Sequence, residues 1–153
     1  MIATFYQAAV TRKHNRLSVK PHLTTWHSSR YDGVEIFEII NNGVGPALIK
    51  EFQLFADGQK IKGEGTDIVS NCIKTTFSAY NVSILDSGYL GNGYMMSANE
   101  HRVLAAFTFE ENKEPSEAEF EHLTNKIRLV VQYESIYGVP DTYDSDLERN
   151  KKT

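Results

Sequence analysis

The hydrophobic period of this chain changes several times, and each change marks an element. Two dense apolar runs, Val34 to Ile40 and Ala47 to Phe55, hold Ile36, Phe37, Ile39 and Ile40, then Leu48, Ile49, Phe52, Leu54 and Phe55. Their β-branched and aromatic content, and their length, are those of strands. The residues between them, Asn41-Asn42-Gly43-Val44-Gly45-Pro46, exclude a helix. Pro46 fixes its own φ and biases Gly45 away from the helical region, while Asn and Gly accept positive φ. The pattern predicts two neighbouring strands joined by a tight connection; a backbone-amide anion site at Gly43 to Gly45 is the other use of the same residues.

Period-two alternation recurs along the chain. Leu17, Val19, Pro21 and Leu23 alternate with Ser18, Lys20, His22 and Thr24, which predicts a first strand ending at Trp26-His27. Pro21 has no N–H to give a ladder, so this strand belongs at a sheet edge. Asp57-Gly58 is the two-residue type I′ signal, with Gln59 to Ile61 as the returning partner. Asn81 to Leu85 reads as a short strand, and Val103, Ala105, Phe107 and Phe109 as one face of another. The clearest case puts Ile127, Leu129, Val131, Tyr133 and Tyr137 on one face and Arg128, Gln132 and Glu134 on the other. Asp141 to Tyr143 makes a last edge strand.

Helical spacing appears twice within the domain. Ile68, Val69, Cys72, Ile73 and Phe77 predict a helix over 66–78 capped by Thr66. Pro115, the acids after it, Phe120 and Leu123 predict a short helix ending near Asn125. About seven strands with two short helical insertions make a mainly β fold, and the reading is an immunoglobulin-like antiparallel β-sandwich over 16–143. An N-terminal helical segment over 1–15 precedes it, and a polar tail over 144–153 that frays follows it.

Composition narrows the function. The chain has 153 residues, enough for one domain and one core. Its net charge of −4 argues against a general binder of phosphate backbones, so nucleic acid is not an expected partner. Cys72 is the one cysteine, which excludes an internal disulfide and places an inert thiol on the apolar side of its helix. The histidines at 14, 22, 27, 101 and 122 lack the paired spacing of a zinc site. Asp141, Asp144, Asp146 and Glu148 lack the glycine of a calcium loop. No G-x-S-x-G, H-E-x-x-H or P-loop occurs. The expectation is no metal, no cofactor and no assigned catalytic residue.

Two function classes remain. A small hydrolase-like enzyme would use a buried Glu among Glu35, Glu38 and Glu51, with a histidine such as His22 or His101. A binding or assembly module would instead meet a protein partner, or a second copy in a homo-oligomer, through sheet edges and exposed aromatics. Trp26, Tyr89 and Tyr94 are the candidate contacts, the two tyrosines standing in the Gly-rich loop Asp86 to Tyr94. A sugar or other small ligand stacked on Trp26 and the tyrosines is a third use. The loop's G-x-x-G-x-G spacing is not the dinucleotide fingerprint.

Residues 1–10 carry no charged side chain, and Arg12, Lys13, His14 and Arg16 follow at once. Ten residues are too few to cross a hydrocarbon core, which needs about 20, and no cleavage site marks a signal peptide. Two readings fit: an amphipathic helix packed on the domain or on a second chain, or the last turns of a membrane helix. In the second case the basic cluster puts the domain on the cytoplasmic side.

The phrases Arg12-Lys13-His14-Asn15-Arg16-Leu17-Ser18-Val19-Lys20-Pro21-His22-Leu23, Asn41-Asn42-Gly43-Val44-Gly45-Pro46-Ala47 and Tyr133-Glu134-Ser135-Ile136-Tyr137-Gly138 resemble those of uncharacterised bacterial β-sandwich domains. Such domains often follow a single N-terminal membrane helix. The resemblance implies a β-sandwich tethered by an N-terminal membrane helix, and it implies no catalytic residue; with the basic cluster, such a tether sets the domain on the cytoplasmic side of the inner membrane. This chain differs in having only a short apolar segment. Taken with the residues themselves, the favoured expectation is a non-enzymatic binding or assembly module.

Overall fold

The structure, a computed structural model, describes residues 2–153. In chain order it forms α1 (Ile2–Leu17), β1 (Leu23–Ser29), β2 (Glu35–Asn41), β3 (Ala47–Ala56), β4 (Gln59–Lys60), α2 (Asp67–Thr76), β5 (Val82–Ser87), β6 (Met95–Met96), β7 (His101–Phe109), α3 (Glu117–Thr124), β8 (Ile127–Glu134), β9 (Pro140–Asp144) and α4 (Ser145–Lys151). The chain is mainly β, with two antiparallel sheets. One has the order β1-β2-β7-β5 and the other β4-β3-β8-β9, with β6 also pairing β3. Alternating positions from both sheets, Ile39 and Phe107 from one and Ile49 and Val131 from the other, are fully buried in one core that α2 completes with Phe77 just beyond its end.

The Asn41–Pro46 cluster does more than turn the chain. β2 and β3 lie in different sheets, so the expected pairing of these neighbours is corrected: the cluster carries the chain across the core. Asn41 is fully buried, and its amide is fully used. Its Oδ1 accepts from His22 N–H at 3.1 Å and Gly43 N–H at 3.0 Å, and its Nδ2 donates to Gly45 O at 2.9 Å and Met96 O at 3.2 Å. The glycines serve close approach rather than positive φ. A Cβ on Gly43 would stand 2.4 Å from His22 N, and one on Gly45 2.1 Å from Val19 O. The expected anion site at Gly43 to Gly45 loses two of its three amides, because those of Gly43 and Val44 already donate to Asn41 Oδ1 and Lys20 O.

The hairpin at Asp57-Gly58 is as expected: both residues have positive φ, 51° and 78°, as a type I′ turn requires, and Phe55 and Ala56 pair with Lys60 and Gln59. α2 and α3 occupy the predicted segments. Ser116 caps α3 by accepting from Glu119 N–H at 3.2 Å, whereas the Thr66 side chain makes no cap bond to α2.

Four further expectations are corrected. The first strand starts at Leu23, not Leu17, because α1 runs to Leu17 and residues 18–22 pack as a connector against Gly43 and Gly45. Trp26 and His27 therefore sit mid-strand, although β1 is an edge strand as expected. Tyr137 leaves the face of β8, since the Ser135 hydroxyl accepts from Tyr137 and Val139 N–H and turns the chain after Glu134. The expected fraying tail is α4, capped by Asp144 and fastened to β8. Ser145 Oγ accepts from Leu129 N–H at 2.9 Å, Arg149 donates to Ile127 O at 2.9 Å, and Arg128 grips the buried Asp144 at 3.1 and 2.6 Å. Finally, α1 does not pack on its own domain: every residue of it is exposed.

Candidate functional site

The three aromatic residues singled out in the sequence do not converge. Trp26 is 61 % exposed on the outer strand β1. Tyr89 lies edge-on against Phe52 of β3, in the other sheet, with ring centroids 5.4 Å apart. It borders an open groove with Lys50, Lys60, Lys62 and Asn92. Tyr94 is tied down more firmly. Its hydroxyl donates to the Glu100 carboxylate, and the Arg102 guanidinium lies 5.1 Å from its ring centroid and 3.4 Å from its hydroxyl. Burial, and next the hydrogen bond to Glu100, hold the Tyr94 phenol above its usual pKa. Tyr94 is thus a brace between loop and β7. Among the described residues no ring pair joins Trp26 to either tyrosine, and Trp26 does not line the groove that Tyr89 borders.

The polar pairing expected of an enzyme falls elsewhere than predicted. His22 and His101 are exposed and meet none of Glu35, Glu38 or Glu51, while Glu51 accepts from Gln53 at 2.6 Å. The structure instead joins His27 of β1 to Glu35 of β2 at 2.6 Å, with Ser29 donating to the same carboxylate oxygen at 2.6 Å. The His27 ring stacks against Phe37 at 4.5 Å and Phe120 at 5.1 Å, and these two rings also stack on each other. A serine nucleophile needs the imidazole as its base. Here the Ser29 hydroxyl is bound to the carboxylate, so the group functions as a clamp on the β1–β2 pair and α3. Register could have signalled it, since His27 lies directly opposite Phe37, but only once the pairing is known.

An apolar cavity of about 130 Å³ lies beside the core, bordered by Phe37, Leu54, Cys72, Ile73, Leu129 and Arg149. Its size is near the roughly 150 Å³ that accepts one benzene ring. The Arg149 guanidinium at its margin is engaged by Ile127 O and by Asp146. Burial pushes the Cys72 thiol up to about 11, which leaves it a protonated, unreactive wall of the cavity at neutral pH. No group of three or more His, Cys, Asp or Glu is placed to hold a metal ion among the described residues.

The most unusual surface is α1. Ile2 is 88 % exposed, Phe5 and Tyr6 73 % and Val10 50 %, at helical spacings of three and four along one side. Arg12, Lys13 and Arg16 fill the final turns. Three of the sixteen Lys and Arg lie on α1 and none of the twenty acids does, so the helix carries +3 and the remainder −7. Among the described residues no helix is long and apolar enough to cross a membrane. Comparison with protein-family models, with curated proteins and with solved structures finds no match for this chain.

Proposed function

We propose that this chain is a non-enzymatic binding module with an immunoglobulin-like β-sandwich, held by α1 at an anionic membrane surface on the cytoplasmic side. The sheet orders support the fold reading. With β1, β2, β7 and β5 as strands A, B, E and D, and β3, β8 and β9 as C, F and G, they follow the order of an immunoglobulin constant-type domain with β4 as an added C′. α2 and α3 are then insertions between C′ and D and between E and F.

The observation that carries the function is the exposure of α1. An isolated helix of 16 residues is marginal in water, so a helix with no buried residue implies something that covers it. Its side chains are ordered along its length, apolar residues first and basic ones last. That order matches a helix end dipping into acyl chains with its collar of Arg12, Lys13 and Arg16 among lipid phosphates. Burying Ile2 and Phe5 offers about 1.5–3 kcal/mol each, and each basic side chain near an anionic surface adds about 1 kcal/mol. The acidic remainder is repelled from the same surface, which holds the domain clear of it.

Flotation with vesicles tests this. The intact chain is expected to float with vesicles containing phosphatidylglycerol, more weakly with pure phosphatidylcholine, and not at all once residues 2–17 are deleted. The truncated domain should remain folded, because α1 contributes nothing to the core. An intact chain that stays with the soluble fraction on both vesicles contradicts the reading, and a self-association abolished by the same deletion would assign α1 to a second copy.

A further inference from the structure

The outer strands of the two sheets are not protected alike; β6, which borders β3 ahead of β4, is only two residues long. β5 has a register shift between Ile84 and Asp86, carries the charged Asp86, and is joined to α2 by the Ser70–Ser87 bond of 2.8 Å. β9 begins at Pro140 and carries Asp141 and Asp144. β4 is two residues long and includes Lys60. A bulge, a charge, a proline or shortness each discourages pairing between molecules. β1 has none of these. Leu23-Thr24-Thr25-Trp26-His27-Ser28-Ser29 contains no acid, Lys, Arg, Pro or Gly, and its register against β2 is unbroken over all seven residues.

The hydrogen-bonding side of β1 follows from its two ends. Asn42 N–H donates to His22 O at 2.8 Å, and Arg30 N–H donates to Val34 O at 2.8 Å. Both belong to the same antiparallel register, so the main-chain groups of Thr24, Trp26 and Ser28 face β2 and those of Leu23, Thr25, His27 and Ser29 face outward. Of these four outward N–H groups, only that of Leu23 meets an acceptor among the described residues, the Tyr133 hydroxyl at a long 3.5 Å.

We propose that β1 is a self-pairing edge, at which two copies of this chain join antiparallel about a twofold axis through Trp26. The occupant is argued from the strand's own symmetry. Trp26 is the middle of the seven residues, so in this register Leu23 meets Ser29 of the second copy and Thr25 meets its His27, and all four outward residues find partners. Centring the axis on Thr25 would set Ser29 against Pro21, which has no N–H; centring it on His27 would set Leu23 against Tyr31, beyond the strand. The neutral strand brings no like charges together. The two Trp26 side chains become a non-hydrogen-bonded cross-strand pair with Cα atoms about 4.5 Å apart, where aromatic contact is closest. The contact is isologous and closes, giving a dimer with one continuous eight-stranded sheet rather than a filament. It is independent of α1 and of its role at a membrane.

The test uses the full chain. Light scattering should give a concentration-dependent dimer, and Trp26→Lys, at an exposed position, should weaken dimerisation at least tenfold with an unchanged melting temperature at dilutions where both proteins are monomeric. Oxidised Trp26→Cys should form a disulfide-linked dimer, because the spacing at the axis fits a disulfide and Cys72 is buried. Thr24→Cys, which faces Ser28 of the second copy, should crosslink at least tenfold less. A chain that stays monomeric at millimolar concentration overturns the proposal, also where β1 instead accepts a strand of another protein. So does a dimer indifferent to Trp26→Lys and lost on deleting residues 2–17, or crosslinking equal at positions 24 and 26.

Discussion

Asn41 concentrates the difference between what a residue announces and what it does. A polar amide beside two turn glycines reads as turn chemistry, yet its four hydrogen bonds hold the connector of residues 18–22, the crossing to β3 and the β6 strand together. Net worth is about 1 kcal/mol per bond, and the groups left unpaired in the interior add to the loss, so Asn41→Ala should cost roughly 3 kcal/mol or more in chemical denaturation. Gly45→Val should also lower stability, because its Cβ would overlap Val19 O and the main chain has to move. The sequence made the turn legible. It did not make the reason legible, because close approach depends on a segment some twenty residues earlier.

Asp144 supplies a pH prediction at the same scale. The Arg128 guanidinium, which hydrogen-bonds its carboxylate, holds it below the ordinary value of 3.8, against the opposing effect of burial. A carboxyl depressed in the folded state contributes stability that is fully present above its unfolded pKa and is lost as pH falls through the folded one. Melting temperature in the wild type should therefore fall more steeply on acidification below 3.8 than in Asp144→Asn, which should already be less stable at neutral pH. Equal acid slopes would remove Asp144 from the account.

At the scale of elements, periodicity succeeded where one face meets the core and failed where two elements share a pattern. In β8 the expected inward set Leu129, Val131 and Tyr133 is buried and Gln132 is exposed. Leu129→Asp or Val131→Asp should prevent stable folding, by more than about 4 kcal/mol, while Gln132→Lys should stay within about 0.5 kcal/mol, read as thermal or denaturant midpoints. Equal losses for all three would mean that the faces are wrongly assigned. The alternation of residues 17–24 misled because it spans the end of α1, a connector and the start of β1. The last ten residues misled in the other direction. Their polarity suggested fraying, but α4 is fastened by Ser145, Arg149 and the Arg128–Asp144 pair rather than by apolar burial, and such bonds have no period to read.

At the scale of the molecule, the mainly β class was legible, but the assignment of strands to sheets was not. Local signals cannot say that β1 and β9 approach each other, where Thr25 and Tyr143 hydroxyls meet at 2.6 Å, or that β2 and β3 part company. Candidate contacts chosen by residue type alone came apart for the same reason: Tyr94 braces a loop, Tyr89 packs on Phe52, and Trp26 alone stands open. What composition did reveal was α1, an uncharged run followed by a basic one, whose apolar side chains the domain leaves uncovered. The proposed function requires that helix to acquire its cover at an anionic lipid surface. Amide hydrogen exchange over residues 2–17 of the intact chain, measured with and without phosphatidylglycerol vesicles, tests it most directly. Fast exchange in solution and strong protection on the vesicles, with exchange in β8 unchanged, is the predicted result; equal exchange of α1 in both conditions would contradict it.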